Sequence, residues 1–150
     1  LLIIRQPAVA GEEIGFLKGT LSDKLAPWQS AIVDNLEGGR PTFEYLIKTG
    51  AIEFDIPAFV QGRDIKRSFI VVDEAQNLTT KEAKMLGTRC AEGSVIVFIG
   101  DVDQVVHKRY ERDNGLTAVV GALKGTPEFG FMRLTKSVRS RVAELFAGRL

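Results

Sequence analysis

The apolar positions of this chain fall into runs of two different periods. Ser68-Phe69-Ile70-Val71-Val72-Asp73-Glu74-Ala75-Gln76 opens with four consecutive apolar residues and stops abruptly at two acids. An unbroken run of this kind, rich in valine and isoleucine, predicts a strand buried on both faces, as in parallel sheets. Ser94-Val95-Ile96-Val97-Phe98-Ile99-Gly100-Asp101-Val102-Asp103-Gln104 repeats the design, with five apolar residues, a glycine turn, then acids and an amide. Leu1-Leu2-Ile3-Ile4 predicts a further short buried strand, and residues 129–134 predict a last one. Ile52-Glu53-Phe54-Asp55-Ile56-Pro57 instead alternates apolar and acidic residues, the mark of a half-exposed strand.

Between these runs the period is helical. Residues 22–37 predict a helix in two pieces: Ser22 is a candidate cap, Pro27 begins a new turn, and Trp28, Ile32, Val33 and Leu36 recur at helical spacing before Gly38-Gly39. Trp28, among aliphatic neighbours, is expected in the core. Residues 41–48 predict another helix, with Phe43, Leu46 and Ile47 on one side and Gly50 as its stop. Thr79 and Glu82 have the spacing of a capping box, and the helix they start places Ala83, Leu86 and Cys90 inward and stops at Gly93. Asp113 or Asn114 can cap a helix over residues 116–123, whose small, aliphatic face is expected on the sheet. A last helix carries Val142, Leu145 and Phe146. The alternation predicts an α/β fold with a mostly parallel sheet flanked by helices.

Two parallel strands joined by a helix make a βαβ unit whose strand ends meet on one edge. In open α/β sheets the carboxyl edge is where ligands bind. Asp73 therefore stands where a Mg2+ ion, held directly or through water, bridges to nucleotide phosphates. Glu74, one residue on, is placed to polarise an attacking water. Gln104, at the end of the second strand, is expected close to both.

Composition narrows the setting. A chain of 150 residues suits one domain, and 45% hydrophobic with 26% charged residues is the balance of a globular protein. Twenty basic against nineteen acidic residues leave a net charge of +1, so any binding to nucleic acid must come from local patches. Three such patches are candidates. Arg5 leaves the first strand at the carboxyl edge before Pro7; Arg63 stands near Lys66 and Arg67; and Lys108, Arg109 and Tyr110 set charge beside a ring, as contact with a nucleic acid strand requires. His107 has no partner at metal-ligand spacing and is read as an ordinary loop histidine. No apolar run approaches the roughly 20 residues that span a bilayer. The single cysteine, Cys90, excludes an internal disulfide framework and is read as a small buried thiol late in its helix. Both facts fit a cytoplasmic protein without membrane contact. The chain opens on Leu1 and its first methionine is Met85, which reads as a fragment.

The pair Asp73-Glu74-Ala75-Gln76 and Gly100-Asp101-Val102-Asp103-Gln104 resembles the Walker B motif and the following glutamine motif of superfamily 1 helicases and, more closely, of PhoH-like ATPases. Arg5-Gln6-Pro7-Ala8 is similar to an Arg-Pro-Ala segment of that family, altered by Gln6. Residues 11–20 resemble its "AGExxGFLPG" stretch, with Lys18 where proline is usual. Gly62-Arg63 and Asn114-Gly115-Leu116 resemble its "GR" and "SGL" steps. The resemblance runs from Leu1 to about Phe146.

That resemblance implies a RecA-like P-loop NTPase core whose cofactors are ATP and Mg2+. It makes Asp73 the organiser of the metal, Glu74 the activator of water and Gln104 the sensor of the terminal phosphate, with Gln76 also at the nucleotide. Ser137-Val138-Arg139-Ser140 is similar to the "NYRS" element of the helicases, which places Arg139 near the terminal phosphate, with Arg141 as its alternate. The phosphate loop Gly-x-x-x-x-Gly-Lys-Ser/Thr occurs nowhere in the chain, and the family carries it upstream of Leu1. Residues 1–150 are thus expected to be the later part of one ATPase domain, weak in ATP binding and in folding by themselves. The resemblance further implies an RNA-dependent ATPase or RNA helicase and a hexameric ring of copies. Two other readings are a non-hydrolysing RNA-binding remnant and the motor part of a PIN-PhoH ribonuclease.

Overall fold

The computed structural model describes residues 1–6, 28–135, 140–142, 145 and 149. Residues 11–20, the start of the helix read from Ser22, and Arg139 lie outside them. Four strands, β1 (Leu2–Arg5), β2 (Glu53–Asp55), β3 (Phe69–Asp73) and β4 (Val95–Phe98), form one all-parallel sheet in the order β2-β1-β3-β4. Among the described residues its helices are a segment over residues 28–33, α1 (Gly39–Lys48), α2 (Pro57–Val60), α3 (Thr80–Gly87), α4 (Arg109–Arg112) and α5 (Gly115–Leu123), with a 3-10 turn at Ala75–Asn77; residues 141, 142, 145 and 149, within the last helix expected from the sequence, are helical as well. The α/β architecture expected from the alternating periods is present, and it is consistent with a P-loop NTPase core.

Register decides what the sheet edge carries. Ile4 pairs with Val72 and Arg5 with Asp73, while Val72 pairs with Phe98, so the strands end level with one another. Ile4, Ile70 and Val72 pack with Val60 of α2, Leu86 of α3 and Leu78 into one core. The strands are not buried on both faces. Ile70 and Val72 are enclosed, but Phe69 is 51% exposed and Val95 is 55% exposed. Burial alternates along β3 because one face lies against that core while the other does not.

Further expectations are corrected. The strand read over residues 52–57 stops at Asp55, because Pro57 has no N–H for a ladder and instead opens the single turn of α2. The crossover helix keeps its capping box, with the Thr79 hydroxyl accepting from the Glu82 N–H, but ends at Gly87, short of Gly93. Cys90 is therefore half-buried in a parallel bridge to Ile65, outside any helix, where Ile65 donates to the Arg89 carbonyl and Ala91 donates to Ile65. Residues 129–134 form no strand: among the described residues they join no ladder, and Met132 and Leu134 are exposed. The face of α5 packs chiefly on α3 and the 3-10 turn instead of the sheet. Trp28 is half-buried, and no helix among the described residues is long and apolar enough to cross a membrane.

Candidate active site

The site begins with a change of chain direction at the end of β3. Asp73 is the last strand residue, and Glu74 takes a left-handed backbone, φ 52° and ψ 41°. For a residue with a side chain that conformation costs about 1–3 kcal/mol and persists only where its surroundings enforce it. Here Ala75 donates to the Ile99 carbonyl at 2.8 Å and Asn77 to the Glu74 carbonyl at 2.9 Å. The turn is thereby pinned to the end of β4.

Parallel pairing sets Arg5 directly across from Asp73, and its guanidinium lies 2.9 Å from the Asp73 carboxylate and 3.5 Å from that of Glu74. The same guanidinium stands 5.3 Å from the centre of the Trp28 ring. The two acids thus converge on a single positive charge. Arg5, read from the sequence as a nucleic acid contact, lies against these acids and is partly exposed. Hard oxygen donors gathered around a cation are the chemistry Mg2+ requires, and Mg2+ takes one or two carboxylates and completes its shell with water and phosphate. Among the described residues no group of three or more His, Cys, Asp or Glu side chains is gathered.

Gln76 joins this edge to the second motif. Its side chain is 0% exposed, and its Nε2 donates to Glu74 Oε2 at 2.6 Å and to the Gln104 carbonyl at 3.3 Å. Its Oε1 accepts from the Asp101 N–H at 3.1 Å. Gln104 therefore does come close to Glu74, with Gln76 between them. The Gln104 side chain donates to Asp101 Oδ2 at 2.7 Å and is otherwise exposed. Asn77, also buried, accepts from the Val106 N–H at 2.9 Å, and Asn114 donates to the Gln76 carbonyl while capping α5. Sequence reasoning had placed Gln76 at the nucleotide and passed over Asn77. The available signal was the pair of amides one residue after two acids, together with Gly100 in the facing loop.

Gly100 is required by close approach. A Cβ there would meet Gln76 Oε1 at 2.3 Å and the Ala75 and Gln76 nitrogens at 3.1 Å. The glycine read as a simple turn residue lets two loops touch.

The basic candidates divide. Lys108 and Arg109 are exposed at the start of α4. Tyr110, expected as a stacking platform, is 2% exposed; the Arg109 guanidinium covers its ring at 4.5 Å and bonds its hydroxyl. An aromatic ring used as core is closed to a base. That hydroxyl contact also raises the Arg109 pKa. His107 lies beside the same ring. Arg63 is engaged by Asp55 at 2.7 Å and Glu53 at 3.7 Å on the edge strand β2, with β1 between it and β3. Asp113 lies near the start of α3, and Thr80, through its hydroxyl first and its N–H second, lowers the Asp113 pKa. Arg141, the alternate to Arg139, is exposed.

Comparison with known proteins agrees with the motifs. A family model described as "PhoH-like protein" matches residues 1–147. "Protein PhoH2" of Bacillus subtilis (strain 168) is 41% identical over an alignment that covers 99% of this chain and 36% of that protein. "Protein PhoH2" of Mycolicibacterium smegmatis is 36% identical, covering 92% of this chain and 32% of that protein. A "PhoH-like protein" of Mycobacterium tuberculosis (strain ATCC 25618 / H37Rv) is 39% identical, with 89% and 39% covered. The chain spans about a third of the length of the curated relatives it matches.

Proposed function

This chain belongs to the PhoH-like protein family, and from that premise we propose that it carries the Walker B part of an ATPase whose hydrolysis drives movement along RNA. The observation that carries this reading is the convergence of Asp73 and Glu74 on one cation at the carboxyl edge of the sheet, beside the loop that bears Gln104. ATP with Mg2+ supplies the phosphoanhydride to be split and the divalent charge that offsets its phosphates.

Asp73 is the residue that would hold the metal, directly or through water. Glu74 orients the attacking water and takes its proton. Gln104 senses the terminal phosphate, and Arg139 offsets the negative charge that develops on the transferred group, a task suited to a planar and permanently charged side chain. Lys108 and Arg109, both exposed, meet RNA phosphates. The RNA substrate and a ring of identical subunits rest on family resemblance. The curated relatives extend well beyond the matched region, which leaves room for a second reading, in which this portion is the motor of a larger PIN-PhoH ribonuclease.

The test is Glu74→Gln in the intact protein. General base catalysis contributes about 100- to 10,000-fold, so turnover should fall by that order while ATP still binds. Unchanged turnover removes Glu74 from the role. If, in the unaltered protein, nucleotide binds without being split and leaves RNA affinity the same, the non-hydrolysing reading replaces this one.

A further inference from the structure

A buried primary amide offers two N–H donors and a carbonyl oxygen, and each left unmatched costs stability. In Gln76 all are matched, and they are matched to two different motifs. One N–H goes to the carboxylate of Glu74, the other to the backbone carbonyl of Gln104, and the oxygen takes the N–H of Asp101. No donor is left for a nucleotide, and no surface of the side chain is open to one.

The far side of this clamp is itself stiff. Asp101 accepts from the Asp103 N–H at 3.0 Å, from Gln104 Nε2 at 2.7 Å and, at its carbonyl, from the Gln104 N–H at 3.0 Å. Residues 101–104 are therefore bonded to one another and are held to the turn after β3 by Gln76 and, two residues on, by Asn77 through Val106. On the near side, the carboxylate held by Gln76 belongs to the residue with the left-handed backbone. A displacement of the 101–104 loop thus either breaks these bonds or carries along the amide that holds Glu74.

We propose that Gln76 is a positioning residue that couples the Gln104 loop to the Glu74 carboxylate, so that Glu74 is aligned for proton transfer only while that loop is in place. The inference rests on the ATPase reading above and deepens it. The amide is chemically required: a carboxylate at this position would face the Glu74 carboxylate and the Gln104 carbonyl with acceptors only, although its shape would be the same.

The test uses the intact protein and the variants Gln76→Glu and Gln76→Met. Affinity for a non-hydrolysable ATP analogue is expected to stay within about twofold of the unaltered protein, because Gln76 does not touch nucleotide, while kcat falls tenfold or more. The change in RNA affinity on adding analogue should disappear. A kcat per folded molecule equal to that of the unaltered protein overturns the proposal, as does a parallel loss of analogue binding and turnover that tracks the folded fraction. Hydrogen exchange on the unaltered protein needs no variant to fold. The Asp101 and Val106 amides should change protection together when analogue binds, and no change at Asp101 overturns the coupling. An unaltered protein that neither binds analogue nor splits ATP defeats the ATPase reading itself, whereas normal turnover with indifferent Gln76 variants defeats only the coupling.

Discussion

Arg5 and Asp73 stand opposite one another in the pairing of β1 with β3, and the guanidinium closes on the carboxylate at 2.9 Å. It also reaches Glu74, so one permanent cation keeps two neighbouring acids together where a divalent ion would be needed. Both partners are partly exposed, and pairs of that kind are worth about 0.2–1 kcal/mol. A metal ion arriving at Asp73 competes with this contact for the carboxylate charge. Arg5→Gln in the intact protein should therefore bind Mn2+ more tightly, by up to about fivefold, in a calorimetric titration. Weaker binding would mean that the guanidinium orients the acids for metal, and competition would be the wrong description.

Gly115 begins α5 where that helix crosses α3, and its N–H donates to the Leu78 carbonyl at 2.7 Å. A Cβ at this position would lie 2.9 Å from both the Ala83 Cβ and the Thr79 carbonyl oxygen. Backbone on one side leaves little room to yield. Gly115→Ala should lower stability by about 1–3 kcal/mol, seen as an earlier urea midpoint with unchanged slope. An unmoved midpoint would show that α5 can shift outward without cost.

The parts of this fold that were legible in the sequence are those decided by short-range pattern. The β3 and β4 runs, the Thr79–Glu82 box and the Asn114 cap each appear where composition and spacing put them. So does the meeting of Glu74 with the Gln104 loop, which follows from two parallel strands with acidic and amide ends. Side-chain partnership was not legible. Arg5 looks the same in the sequence whether it meets a phosphate or Asp73, and only the β1–β3 register decides. Tyr110 beside Arg109 reads as a stacking surface until the chain folds the ring inward. Gln76 belonged to a recognisable motif, yet its enclosure depends on Gly100, more than twenty residues away, having no side chain.

Asp113 gives a pH-dependent test of the contact between the α4–α5 connection and α3. Its carboxylate accepts from the Thr80 N–H at 2.8 Å, at the first turn of α3, where negative charge is also favoured by the helix dipole. Hydrogen bonding from Thr80 holds its pKa below the ordinary 3.8. A group whose pKa is lowered on folding binds protons more readily in the unfolded chain, so it favours the folded state at higher pH. The contribution is fully present above the ordinary carboxylate value and is lost as pH falls through the lower folded value. Asp113→Asn keeps the shape of the neutral acid and removes its charge. The variant should unfold earlier than the unaltered protein between about pH 5 and 7, with a constant difference, and the two should converge as pH drops below about 4. Because the group is exposed, added salt should narrow the gap at neutral pH. A difference that persists unchanged into acid would mean that it does not arise from the carboxylate charge, and would point instead to the amide group placed against the Thr80 N–H.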